Sequence, residues 1–130
     1  MSDLRVNTIS ASDGTSPVTL TKQSAAKAWA EIAASGASLP DSFNFSSIDD
    51  DGTGEYGLNY ISAMGNVNYS ANATLTFGHT SGANNIRVLY VESKATSSVE
   101  IDGGYADGSA YFSTYDIETN ANVTVHGDLA

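Results

Sequence analysis

The chain has 130 residues and carries 15 acidic against five basic side chains, for a formal charge of −10. The basic residues Arg5, Lys22, Lys27, Arg87 and Lys94 are too few and too scattered to track a phosphate backbone or an anionic bilayer, which excludes nucleic acid and membrane surfaces as expected partners. With no cysteine, 41% hydrophobic residues, and 18 Ser, 12 Thr, 10 Asn and 12 Gly, the composition describes a folded acidic β protein with neither disulfides nor thiolate metal sites.

Residues 1–21 read as an extended N-terminal arm. Leu4, Val6 and Ile9 are separated by polar residues, Ser12 to Pro17 form a turn cluster, and Val18 to Thr21 make one short strand. An arm this polar builds no core of its own, so Leu4, Val6 and Ile9 are expected to anchor it on another surface. Residues 22–130 then form one domain. Between Ser24 and Ala34 two readings stand open. Ser24 as cap, with Ala25, Ala28, Trp29 and Ile32 on one face and Gly36 as stop, fits a helix; a strand from Trp29 to Ile32 fits equally well.

From Phe43 onward the signals are those of short antiparallel strands. Phe43-Asn44-Phe45 alternates, Ile48 leads into an expected turn over Asp49 to Gly54, and Tyr56, Leu58 and Tyr60 alternate on the return. Val67 to Tyr69, Leu75 to Phe77, Ile86 to Val91, Val99 to Ile101, Tyr111-Phe112 and Val123 to Val125 follow, separated by Gly-, Asn- and Asp-rich loops. About eight strands of this kind predict an all-β, antiparallel sandwich or jelly-roll-like domain behind its extended arm.

Candidate chemistry is sparse. His79 precedes a loop and His126 sits one residue from the end of the last strand, neither with a nucleophile and carboxylate in a recognisable order. Asp49, Asp51 and Thr53 have the first spacings of a calcium loop, but Tyr60 stands where the closing bidentate Glu belongs, so a tight hairpin turn is expected instead of a metal site. No cofactor motif is present. Trp29, Phe43, Phe45, Tyr56 and Tyr60 are the candidate aromatics for the core or for contacts between copies. Tyr105, between Asp102 and Asp107 in an expected loop over 102–108, is the candidate contact for a sugar or a protein.

Lys27-Ala28-Trp29, Asp41-Ser42-Phe43-Asn44-Phe45-Ser46-Ser47-Ile48 and Asp51-Gly52-Thr53-Gly54-Glu55-Tyr56-Gly57-Leu58-Asn59-Tyr60 resemble the C-terminal domain of bacteriophage tail-fibre proteins. Ala63-Met64, Asn68-Tyr69 and the ending Gly127-Asp128-Leu129-Ala130 fit its continuation and its close, and Leu4 to Ile9 with Gly14 and Val18 to Leu20 is similar to its lead-in. The resemblance implies a trimeric, β-structured virion protein without catalysis, made in the host cytoplasm and carried on the particle surface. About twenty residues precede the domain, spanning at most roughly 70 Å, too short for a fibre shaft. The expectation is therefore a short spike, fibre or capsid decoration (cement) protein, a homotrimer docked through its arm on a capsid or tail protein. The alternative is a receptor-binding tip that recognises host surface glycans through the 80–85 and 102–108 loops.

Overall fold

The computed structural model describes residues 25–36, 38–76, 86–106 and 113–130. The arm with Leu4, Val6 and Ile9, the strand at 18–21, Phe77, His79, the 80–85 loop, Asp107 and Tyr111-Phe112 lie outside the described residues. The expectation of an all-β antiparallel architecture holds. Nine strands are described: β1 (Ala28–Ile32), β2 (Asp41–Phe43), β3 (Phe45–Gly52), β4 (Glu55–Tyr60), β5 (Ser70–Leu75), β6 (Ile86–Lys94), β7 (Ser98–Ala106), β8 (Ser113–Thr114) and β9 (Ala121–His126). They form a first sheet ordered β2-β1-β9-β5 and a second ordered β3-β4-β7-β6, with β8 joined to β7. Every described ladder is antiparallel.

The ambiguous segment after Ser24 resolves as a strand. In β1, Ala28, Ala30 and Ile32 are buried while Trp29 and Glu31 point away, a period of two that a helix cannot provide. Pairing with β9 on one side and β2 on the other satisfies its backbone, which outweighs the helix preference of a run of alanines. A single 3-10 turn, Ala34–Gly36, then reverses the chain. Gly36 closes it at φ +66°, and a Cβ there would run into the Tyr56 ring, so glycine is required twice over.

One buried cluster draws on both sheets: Ala28, Ile32, Val123 and Val125 from the first, Phe45, Tyr56, Leu58, Val99 and Ile101 from the second. The chain passes between the sheets at Asn44, the corner from β2 to β3, which holds φ +59°. Asparagine tolerates this left-handed conformation better than most residues. Its side chain is tied down reciprocally: Ser62 N–H donates to Asn44 Oδ1 (2.7 Å) and Asn44 Nδ2 donates to the Ser62 carbonyl (3.0 Å).

Three expectations need correction. The turn after β3 occupies only Thr53 and Gly54, because Asp49, Asp50 and Asp51 run on as an extended edge strand with their side chains in solvent. The strand expected over Val67 to Tyr69 begins instead at Ser70. The loop expected over 102–108 is strand through Ala106, because β6 pairs along it as far as Ile86 with Ala106.

Candidate functional site

The outer face of the first sheet is a sparsely charged platform. Strict alternation in β1, β9 and β5 sends Trp29, Asn122, Thr124, Ser70, Asn72 and Thr74 away from the core. Register aligns four of the outward residues into one row across the sheet, Phe43–Trp29–Thr124–Asn72. Trp29 is 38% exposed and Phe43 51%. Directly opposed residues on neighbouring strands hold their Cβ atoms within about 5.5 Å, so the two rings form one apolar patch. The adjacent row brings the only carboxylates of these strands, Glu31 and Asp41, and Glu31 accepts a hydrogen bond from Asn120 Nδ2 (2.7 Å).

The outer face of the second sheet is an acidic surface. Asp49, Gly57 and Glu100 are register partners across β3, β4 and β7, and Glu55 is opposite Asp102. Over Gly57 two carboxylates converge: its Cβ position would lie 2.9 Å from Glu100 Oε2 and 3.1 Å from Asp51 Oδ2. Burial pushes the Glu100 carboxyl above the usual glutamate range; the Ser98 hydroxyl, at 3.1 Å, opposes this, and Asp51, Glu92 and Asp49 add to it. Asn59 Nδ2 relieves part of the crowding by donating to Asp49 Oδ2 (2.7 Å). Asp102 is buried beneath Tyr90, whose hydroxyl donates to its Oδ2 (3.0 Å). Among the described residues no three His, Cys, Asp or Glu side chains are grouped to hold a metal ion.

The candidate contact residue Tyr105 is not a free loop tip. It lies on β7 opposite Arg87, whose guanidinium carbon sits 3.8 Å from the Tyr115 ring centroid and 5.4 Å from that of Tyr105. Arg87 Nη2 pairs with Glu118 Oε2 at 3.0 Å, and the Tyr115 hydroxyl donates to Glu118 Oε1 at 2.9 Å. The cleft beside this cluster encloses about 20 Å³. That is room for about one water molecule. The cluster therefore braces the end of the second sheet. Asp102, the other described member of the candidate loop, is likewise internal.

The candidate aromatics divide. Phe45, Tyr56 and Tyr60 are buried in the chain's own core, Phe45 stacked on Tyr60 at 5.0 Å between centroids, and Tyr56 hydroxyl accepting from Ile117 N–H at 3.1 Å. Trp29 and Phe43 alone of the five remain for contacts with another molecule. The sequence signal that could have separated them is the small-residue parity of β1: Ala28 and Ala30 flank Trp29, and small residues inside leave the large one outside.

Several residues of the segments compared above with tail-fibre proteins occupy joints of the fold, while others, such as Trp29, Phe43 and Asp51, stand exposed on strands. Met64 bridges to Leu129, Gly65 N–H donates to the Asp128 carbonyl (2.7 Å), and Ala130 N–H to that of Ala63 (2.9 Å). Gly127 lies so close to Tyr69 and Met64 that a Cβ would stand 2.6 and 2.9 Å from their side-chain carbons. Gly54, at φ +78°, donates its N–H to Asp116 Oδ1 (2.8 Å) and accepts from Gly103 N–H (2.6 Å). Segments 63–69 and 127–130, far apart in the chain, thus meet as one unit. No protein-family model, curated protein or solved structure matches the chain.

Proposed function

We propose that this chain is a non-enzymatic structural protein of a bacteriophage particle, a short homotrimeric spike, fibre or capsid decoration protein whose β-sandwich projects from an N-terminal arm. The observation that carries the reading is the convergence just described. Residues that resemble the tail-fibre domain, from Asn44 and Gly54 to Met64, Tyr69 and Gly127 to Ala130, serve turns, corners and close packing. Such turn, corner and packing roles support a structural reading of these segments more than a catalytic one. In this reading Leu4, Val6 and Ile9 dock on a capsid or tail protein.

The test is fractionation of intact particles into heads and tails, followed by deletion of residues 2–15. The chain is expected in one fraction, and the truncated form should fold and associate as before yet fail to join particles. Its absence from particles would refute the reading; normal incorporation of the truncated form would refute the arm's role alone. In the alternative, a glycan-binding tip, Tyr105 would have to bind sugar while packed beside Arg87 and Tyr115, and Asp102 while accepting from Tyr90.

A further inference from the structure

We infer that copies of this chain meet through the outer face of the first sheet, with Trp29 and Phe43 at the centre of the contact. The inference rests on the multi-copy reading above and says which surface serves it. Val88 and Tyr90 of the second sheet are exposed as well, so it is the combination of two features that favours the first-sheet face. The first is apolar exposure: Trp29 (38%) and Phe43 (51%) are paired on adjacent strands, and burying an aromatic side chain is strongly favourable. The second is charge. A chain of net charge −10 repels its own copies, and the repulsion is least where carboxylates are fewest. The second sheet presents Asp49, Asp51, Glu55, Glu92 and Glu100, so its outer face cannot meet itself. The row Phe43–Trp29–Thr124–Asn72 carries no charge, and Thr124 and Asn72 can hydrogen-bond across a contact between like surfaces.

The same contrast fixes the occupant. A basic partner would seek the acidic second sheet, whereas a second acidic copy meets least repulsion at the first, where Glu31 and Asp41 are the only strand carboxylates. The footprint is modest. Four strands about 4.8 Å apart, three of them with five or six residues and β2 with three, at about 3.4 Å per residue, cover roughly 330 Å². That is below the standard interface half of about 800 Å², so association through this face alone belongs in the weak class.

Trp29 is the chain's single tryptophan, and its fluorescence therefore reports on this face alone. Full-length protein is followed by sedimentation velocity and by tryptophan emission from about 1 to 500 µM, a span suited to weak contacts. Mass should rise with concentration, emission should shift to the blue in step, and raising salt should tighten association by screening the repulsion. Thr124→Asp with Asn72→Asp, both at outward positions, should weaken association at least tenfold while circular dichroism and the melting transition persist. Trp29→Ser with Phe43→Ser should do the same; if that pair fails to fold, the aspartate variant decides. Glu100→Gln, on the other sheet, should not weaken it.

A single-copy mass for the unaltered chain throughout would overturn both this inference and the multi-copy part of the proposed function. Association that survives the aspartate variant, or rises without any change in tryptophan emission, would overturn the face and leave that function standing. A blue shift at constant mass on adding maltopentaose would place a saccharide there instead, against the inference.

Discussion

The two sheets share one core and differ in what they show to solvent. Both obey the same alternation: Ala28, Ala30, Ile32, Val123 and Val125 point inward from the first, Tyr56, Leu58, Val99 and Ile101 from the second. On the outside the first presents Trp29, Phe43, Asn72, Asn122 and Thr124 with two carboxylates, Glu31 and Asp41, and the second presents a larger group of carboxylates beside Val88 and Tyr90. Edge strand β3 makes the contrast sharpest, since Asp49, Asp50 and Asp51 stand in solvent along it. Charges on an open edge discourage another strand from adding there. The lesson is that burial specifies a sheet's inner face, while outer-face charge determines which side another molecule can approach. In an acidic chain the informative surface is the one with least acid.

Four substitutions test that comparison, beginning with the largest effect. Leu58→Ala empties part of the core on which both faces depend. Leu58 is fully buried, so the loss should be about 3 kcal/mol, seen as a lowered denaturant midpoint with circular dichroism of the native form retained at low denaturant. Asn44→Ala breaks the corner between the sheets. It removes both hydrogen bonds to Ser62 and leaves alanine at φ +59°, for a cost of about 2 kcal/mol by the same measurement. If Asn44→Ala costs almost nothing, the two sheets are not coupled through that corner.

Smaller effects sharpen the acidic side. Glu100→Gln should stabilise the protein at pH 7 by a few tenths of a kcal/mol, since it removes a carboxylate crowded by Asp51, Glu92 and Asp49 while Ser98 can still donate to the amide oxygen. The sign follows from proton linkage. A raised carboxyl pKa means that the folded state holds its proton longer than the unfolded one, so this group's contribution falls as pH rises from the ordinary glutamate range through the raised value. The gain from Glu100→Gln should therefore vanish below the ordinary range, and thermal melts at pH 3.5 and 7 would show it; an equal gain at both pH values would assign the effect to something other than charge. Asp51→Asn should act in the same direction and by less, because Asp51 is exposed and water screens its charge.

Much of the fold was legible because burial writes a period into the chain. Tyr56, Leu58 and Tyr60 read correctly as one inward face, and Val123 and Val125 as another. The Asp- and Gly-rich hairpin after Ile48 was legible too, although its turn proved shorter than the run of acids suggested. Asp102 to Ala106 was misread because glycines and aspartates favour turns locally. There Gly103 and Gly104 instead allow close approach: Gly54, Tyr115 and β8 pack against that stretch of β7. Tyr105, still partly exposed, packs beside an arginine 18 residues earlier and a tyrosine ten residues later.

The amino-acid order by itself determined the class of the molecule: acidic, all-β, antiparallel, with its inward residues set by alternation. Only the tertiary structure decided that Trp29 is on a strand, that Phe43 stands beside it, and that the carboxylates gather on the opposite sheet. Alternation is local and survives in any short window of sequence. Cross-strand neighbours depend on register and strand order, which are fixed only when distant segments such as β1, β9 and β5 pair and close the core.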